Sequence, residues 1–355
     1  MNLSDLGLTK EISEHLADDS LTDFTIARVI CEYRERYIVS TGVDQYEAEI
    51  TGNLRFSSHS RTDFPAVGDW VAVKTYDSDL AIIHKILPRK SILERQMIGK
   101  PGEKQIISAN IDAAFIVQSI DNNFNINRLE RYLTICHSAG IEPVLVISKT
   151  DLSTKESINN ALNELNARHN NVKHILLSNT TKDGLDQVVG FIKKGKTYCV
   201  VGSSGVGKSS LINNLLSKNI LKTREISQST KKGRHTTDHR ELFILENGGI
   251  IIDTPGMREL GLTDDTEGIV TTFNKIHNLS LKCKFPDCKH LTEKGCAVRE
   301  GLENGIIDKK SLENYRRILR EQEHFQSTVA EKRKKDRQFG KMVKNVVKEK
   351  KKYKY

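Results

Sequence analysis

The sequence predicts a multidomain protein with three folded parts: a small N-terminal β-barrel, a central parallel α/β domain and a helical C-terminal segment. Three observations carry this. Residues 22–95 hold five short runs rich in Val, Ile, Tyr and Thr, separated by Gly, Asn, Asp or Pro. Between Ile106 and Asp253, near-continuous apolar runs alternate with helical patterns, as a parallel sheet covered on both faces requires. Beyond Thr263 the chain turns polar and helical and carries three cysteines and a histidine within fourteen positions.

The N-terminal runs are "FTIARVICEY", "RYIVST", "YEAEIT", "DWVAVKTY" and "LAIIHKIL". Five strands in so short a stretch suit a closed barrel, of which the OB-fold is the common five-stranded form. Few aromatics stand in obvious stacking positions, so the barrel alone assigns no ligand. In the α/β part, the strands "DAAFIVQSI", "EPVLVIS" and "KHILLSN" alternate with the helices "NINRLERYLTICHSAG", closed by Gly140, and "KESINNALNELNARHN". "TYCVVG", a helix from "KSSLINNLL" and "GGIIIDTPG" continue the pattern. The expected boundaries are 1–97 for the barrel, 98–262 for the α/β domain, 263–330 for the helical cysteine-bearing domain and 331–355 for a basic tail.

At 355 residues the chain exceeds one ordinary core. No apolar run reaches the roughly 18 residues of a membrane span, and "MNLSDLGLTK" lacks a signal-peptide pattern, so a cytoplasmic, non-membrane protein is expected. In that compartment six cysteines imply no disulfides, and Cys31, Cys136 and Cys199 read as core residues. The formal charge of +9 lies wholly in the tail, where twelve Lys and Arg face three acids. Such a block reads as a partly disordered arm for a polyanion, most often nucleic acid.

Gly202-Ser203-Ser204-Gly205-Val206-Gly207-Lys208-Ser209 fits the phosphate-loop pattern G-x4-G-K-[ST], and Ser210 follows inside the helix that it opens. The glycines allow backbone amides to curl around phosphate oxygens, with the helix N-terminus adding its positive end. Lys208 is expected to reach the β- and γ-phosphates and Ser209 to bind Mg²⁺. Asp253, ending the strand of "IIIDTPGM", is expected to hold Mg²⁺ through water, and the Gly256 amide to sense a γ-phosphate. The polar stretch between them contains Thr236 and Thr237, either of which suits the threonine that closes over the metal.

"VLVISKTDLS", at 144–153, raises the question of base choice. A carboxylate accepts two hydrogen bonds from guanine N1–H and N2–H₂, a pattern adenine lacks. Asp151 is suited to this, with Lys149 packing on the base and Thr150 between them. Ser148 stands where Asn is usual. Ser178 and Asn179, at the end of "KHILLSN", fit a last base-contacting loop. These base loops precede the phosphate loop, the reverse of the usual order. A circular permutation of a GTPase gives this order while leaving the assembled site unchanged. The Gln that orients water in Ras-like enzymes is replaced by Met257, which leaves His235 and His239 as candidates for that task. Unassisted turnover is expected to be slow, about 10⁻⁴ to 10⁻² s⁻¹.

Cys283, Cys288, His290 and Cys296 have the spacing C-x4-C-x-H-x5-C. Three thiolates and one imidazole complete a tetrahedral set and leave no open position, which predicts one structural Zn²⁺. The segment is poor in apolar residues, so metal binding is expected to supply folding energy.

The chain resembles the ribosome small-subunit-dependent GTPase A (RsgA/YjeQ) family. The resemblance rests on "PAVGDWVAV", "ILPRKSILER", "NINRLERYL", "AGIEPVLVISKTDL", "VVGSSGVGKSSLIN", "GRHTT", "IIDTPGMREL" and "CKFPDCKHLTEKGCAV". It implies an OB-fold, a permuted GTPase domain and a zinc-binding domain. It also implies GTP as substrate with Mg²⁺, rRNA and the small ribosomal subunit as partners, and a role in late subunit maturation. The subunit would stimulate hydrolysis, and the protein is expected to be monomeric. A GTP-gated RNA-binding module with negligible hydrolysis is the alternative, which the missing Gln permits.

Overall fold

The computed structural model describes residues 2–14, 21–33, 36–58, 60–76, 79–97, 102–121, 124–217, 240–254, 262–263 and 265–352, the last stretch by backbone alone at 332, 333 and 335–352. After a short helix α1 (Lys10–Glu14), strands β1 (Thr25–Glu32), β2 (Tyr37–Ser40) and β3 (Gln45–Ile50) lead to helix α2 (Gly52–Ser57), then β4 (Trp70–Tyr76) and β5 (Leu80–Ile86). These are the five expected strands. β1 pairs with β2, β2 with β3, β3 with β5, β5 with β4, and β4 returns to β1, which closes the barrel. Alternating inward residues, including Ala27, Val29, Val39, Val71, Val73 and Ile83, fill it. "TGNLRF" forms α2, where the Thr51 hydroxyl accepts from the Leu54 amide and caps the helix.

Two of the quoted segments meet at the barrel's base. Asp69 of "PAVGDWVAV" is fully buried and takes a two-pronged ion pair from Arg89 of "ILPRKSILER", Nε to Oδ1 at 2.8 Å and Nη2 to Oδ2 at 2.7 Å. Arg28 lies over Trp70 and donates to the carbonyls of Leu6 and Gly68 and to Thr197 Oγ1. Burial lowers its pKa to about 10, so it remains charged at neutral pH.

Strands β6 (Ile92–Gln96) and β7 (Lys104–Ala109) form a separate antiparallel hairpin, and the boundary expected after residue 97 falls within it. The α/β part follows: β8 (Ala113–Ser119), α3 (Ile126–Ser138), β9 (Glu142–Ser148), α4 (Lys155–Arg168), β10 (Lys173–Leu177), α5 (Leu185–Phe191), β11 (Thr197–Val201), α6 (Lys208–Leu216), β12 (Arg240–Ile244) and β13 (Ile250–Asp253). The order across the sheet is β10-β9-β8-β11-β13-β12. All neighbours are parallel except β12, which runs antiparallel to β13. β8, β9 and β11 are apolar because both faces are covered, by α5 and α6 on one side and by α3 with the C-terminal helices on the other. β12 also pairs with β1, so barrel and α/β sheet form one run of eleven strands.

The C-terminal helices are α7 (Thr266–Thr272), α8 (Asn274–Ser280), α9 (Ala297–Glu303) and α10 (Lys309–Lys352). They share a core with α3: Leu262, Ile269, Phe273, Ile276, Val298, Leu312 and Ile318 pack with Leu129, Leu133 and Cys136. Gly268 makes the closest approach, since a Cβ there would lie 2.0 Å from the Thr134 carbonyl oxygen. The basic segment expected as a partly unfolded arm continues α10 as helix to Lys352. Among the described residues, no helix is long and apolar enough to cross a membrane. All six cysteines are free, and Cys31, Cys136 and Cys199 are buried.

Candidate nucleotide site and metal cluster

The carboxyl ends of β8, β9, β10, β11 and β13 lie along one edge of the sheet, where ligands bind in open α/β folds. Strand register brings Ser119 level with Ser148, Leu177 level with Ser148, and Val200 level with Asp253. The early candidate base loops and the later phosphate loop therefore assemble side by side despite their order in the chain.

Gly202, Gly205 and Gly207 have φ of 145°, 80° and 95°. A Cβ at Gly202 would lie 2.3 Å from the Val117 carbonyl oxygen, and one at Gly207 would lie 2.7 Å from Asn179 Nδ2. Only glycine meets both the dihedral and the space requirement. Val206 is buried, while Ser204 and Gly205 are exposed at the crest of the loop. Lys208 Nζ curls over the loop, donating to the carbonyls of Gly202 at 2.8 Å and Ser203 at 2.6 Å. Ser209 and Ser210 follow in the first turn of α6. This cradle of positive-φ glycines with a folded-back lysine fits a polyphosphate. Ser209 and Asp253 offer a hydroxyl and a carboxylate, the hard oxygen donors that Mg²⁺ takes. Next to Asp253, the buried Thr254 donates through Oγ1 to the Val200 carbonyl at 2.9 Å, which ties the end of β13 to the phosphate-loop strand.

The guanine-loop candidates are held from behind. Ser148 is fully buried, and its hydroxyl donates to the Val206 carbonyl at 2.6 Å. A serine thus reaches the phosphate loop directly from the position where Asn is usual. Asn179 supplies a second tie, Nδ2 to the Gly207 carbonyl at 3.1 Å, and Asn214 of α6 in turn donates to Asn179. Ser178 is buried with its hydroxyl accepting from the amides of Thr180 and Thr181, so it shapes the turn. Lys149 has φ of 61° and pairs with Asp121 at 3.0 Å. Thr150 and Asp151 begin a 3₁₀ turn, with Asp151 exposed at the edge. His235, Thr236, Thr237, His239, Gly256 and Met257 lie outside the described residues.

Two residues were not singled out from the sequence. Asn214 had no motif to mark it. Arg128, in the first turn of α3, donates from Nη1 to Ser203 Oγ at 2.8 Å, 75 positions along the chain. The helical pattern of "NINRLERYL" explains only the apolar positions and leaves the arginine without a structural reason.

Cys283, Cys288, His290 and Cys296 bring their ligand atoms within 4.8 Å of one another. His290 Nδ1 lies 3.5 Å from both Cys283 Sγ and Cys296 Sγ, and those two sulfurs are 3.9 Å apart. A tetrahedron with metal–sulfur bonds of about 2.3 Å and a metal–nitrogen bond of about 2.0–2.1 Å has edges of about 3.8 Å and 3.5 Å. The cluster has the size and donor set to hold zinc. His290 takes φ of 59°, and Arg316 donates to its carbonyl. Burial and the Arg316 guanidinium lower the imidazole pKa, favouring the neutral, ligating form.

The fold and the edge together define a P-loop GTPase whose base loops precede its phosphate loop, joined to an OB barrel and a Cys₃His segment. A family model described as RsgA GTPase matches residues 86–263, and one described as 50S ribosome-binding GTPase matches residues 197–332. The chain is 39% identical over 350 residues, covering 98% of each chain, to small ribosomal subunit biogenesis GTPase RsgA 1 of Bacteroides thetaiotaomicron. It is 38% identical to RsgA 2 of Vibrio parahaemolyticus, over 99% of this chain and 94% of that one. The chain belongs to the RsgA GTPase family. Its fold is that of YjeQ from Thermotoga maritima (TM-score 0.62, 24% identity, 84% of this chain and 98% of that one). YloQ, described as a circularly permuted GTPase, is also similar (TM-score 0.58, 22% identity, 88% and 98%).

Proposed function

We propose that the chain hydrolyses GTP to GDP and phosphate in response to the small ribosomal subunit, during that subunit's late maturation, as a cytoplasmic monomer that binds rRNA. The observation that carries this is the convergence of Ser148–Asp151, Ser178–Asn179 and Gly202–Ser209 at one sheet edge. It occurs in a chain nearly forty per cent identical to a relative named for small-subunit biogenesis.

In this reading Asp151 selects guanine and Lys149 covers the base. The loop amides from Gly202 to Ser210 and Lys208 hold the phosphates. Ser209 and Asp253 hold Mg²⁺, which when bound neutralises phosphate charge. Gly256, Thr236 or Thr237, and His235 act from the two segments that respond to the γ-phosphate. Cys283, Cys288, His290 and Cys296 hold one structural zinc. The barrel hangs on β12 through β1, and β12 lies between the two γ-phosphate-responsive segments. GTP therefore sets how barrel and helical segment are presented together to rRNA, and hydrolysis releases them. Equal affinity of the GDP form and a non-hydrolysable GTP form for small subunits would sink this switch. The tail adds a sequence-independent attraction. With about 6–10 phosphates neutralised, binding weakens by about 10³–10⁵ between 50 and 200 mM salt.

The decisive experiment is GTP hydrolysis with and without purified small subunits, with Lys208→Ala as control. Strong stimulation by small subunits, lost in the variant, is expected. Tight GTP binding with no stimulated turnover would instead mark a GTP-gated binding module.

A further inference from the structure

We infer that Arg128 is a cation supplied from within the chain to the phosphates of bound GTP, acting on charge that develops during cleavage. The inference rests on the GTPase reading above. Arg128 Nη1 reaches Ser203 Oγ at 2.8 Å, while Lys208 Nζ reaches the carbonyl of the same Ser203 at 2.6 Å. Two cations thus converge on one residue of the phosphate loop, immediately before its exposed crest.

Among the described residues, the Arg128 guanidinium forms no ion pair with a carboxylate, and it hydrogen-bonds to Ser203 Oγ. Other arginines of the fold differ. Arg131 is paired with Glu321, Arg168 with Glu130 and Asp308, and Arg240 with Glu32. A half-buried guanidinium and an ammonium group that meet at one phosphate-loop residue place two positive charges where an anion in the loop would lie. A polyphosphate in the loop supplies that anion, and the guanidinium fork matches phosphate oxygens.

The support behind Arg128 is rigid. Asn125 caps α3 by accepting from the Arg128 amide at 3.0 Å, and Leu129 and Leu133 are fully buried. Glu130 accepts from Asn314, and the Arg131 guanidinium engages both oxygens of Glu321. The helix is pinned against α10, so Arg128 is aimed by packing and is not a mobile surface arginine.

In the reaction, the water oxygen forms a bond to the γ-phosphorus. The bond from that phosphorus to the β–γ bridging oxygen breaks, and its electron pair stays on GDP. The water's proton ends on the released phosphate. Negative charge grows on the bridging and β-oxygens, where a fixed guanidinium stabilises the transition state more than the ground state.

The test uses the full-length protein with Arg128→Ala, Arg128→Lys and Ser203→Ala. It reads single-turnover GTP cleavage, with and without small subunits, and the Kd of a fluorescent GDP. Arg128→Ala is expected to slow cleavage by about 10²-fold or more, well beyond any accompanying loss of GDP affinity. Arg128→Lys should fall between, and Ser203→Ala should lose part of the rate because the guanidinium loses its hook. If Arg128→Ala weakens GDP binding as much as it slows cleavage, Arg128 is only a loop anchor and the inference is wrong. Unchanged cleavage overturns it equally. A parent enzyme that small subunits fail to stimulate would defeat the ribosomal reading, while the ratio of variant to parent in the unassisted reaction still decides the role of Arg128.

Discussion

Replacing Ser148 by alanine deletes one oxygen, and the structure states what that oxygen does. The side chain is fully buried and donates to the Val206 carbonyl at 2.6 Å. Val206 is itself buried, so water cannot substitute for the lost donor. Leaving a buried acceptor without its partner costs about 1–3 kcal/mol. The acceptor belongs to the phosphate loop, so the cost falls on the loop conformation that binds nucleotide. The expected weakening of GDP affinity is about 5- to 150-fold. A fluorescent-GDP titration at fixed Mg²⁺ measures it, and urea unfolding without nucleotide shows how much is global. Ser148→Asn, which installs the more usual residue, should not help. It adds atoms where no free surface exists, at an overpacking cost of about 1–3 kcal/mol, and the Gly207 carbonyl is already taken by Asn179. Pairing Ser148→Asn with Asn179→Ala should recover affinity that either change alone loses. If Ser148→Ala binds GDP within twofold of the parent, or Ser148→Asn binds it more tightly, the division of labour between Ser148 and Asn179 is refuted.

Other consequences are as direct. Gly268→Ala places a methyl group 2.0 Å from the Thr134 carbonyl oxygen, so α7 must lift from α3. A loss of about 1–3 kcal/mol in urea denaturation is expected, and an unchanged midpoint would contradict the contact. One equivalent of zinc per chain is expected by metal analysis, and Cys296→Ser should both lower it and open residues 281–307 to limited proteolysis. Burial pushes the Glu321 carboxyl upward, but the Arg131 guanidinium, the Leu262 amide and Arg317 outweigh it and hold the pKa below the ordinary range. A depressed carboxyl pKa stabilises the fold above the unfolded value of about 4.3 and loses that contribution as pH falls through the folded value. Glu321→Gln should therefore be less stable than the parent at pH 7, with the gap narrowing below about pH 4. A gap that widened on acidification would reverse the assignment.

What could be read from the chain beforehand follows physical lines. Buried parallel strands such as "DAAFIVQS" and "EPVLVIS" are apolar throughout because both faces are covered, so their existence and order were legible. The phosphate loop was legible because its glycines answer a steric demand made locally, as the contacts at Gly202 show. The β6–β7 hairpin was not, because "ILERQ" and "KQIISA" carry charged and amide residues that pair across the strands and blur the alternation. β12 was hidden for a similar reason, as "RELFI" follows a long polar stretch and its strand character comes from neighbours on both sides. The tail misled by charge. Lys, Arg and Glu are good helix formers, and α10 starts as a docked helix, so nucleation is already complete when the basic stretch begins. Arg128 and the Ser148–Val206 bond escaped because each joins residues far apart in sequence, where no periodicity speaks.

The pairing of Cys31 with Glu241 and of Glu32 with Arg240 has a consequence in time. A chain is made from its N-terminus at about 5–20 residues per second, and domains fold as they emerge. The barrel closes through neighbours within residues 25–86 and can be complete early, but the end of β1 at Cys31 and Glu32 then waits for β12. The candidate base loops after β9 and β10 are also made before β11, the strand that lies between β8 and β13. Until β11 is synthesised, β8 carries an apolar, unpaired edge. A newborn chain therefore carries the candidate base loops, complete by residue 179, before the phosphate loop at 202–209 is made, and all of these strands exist while about a hundred residues after Asp253 are still to come.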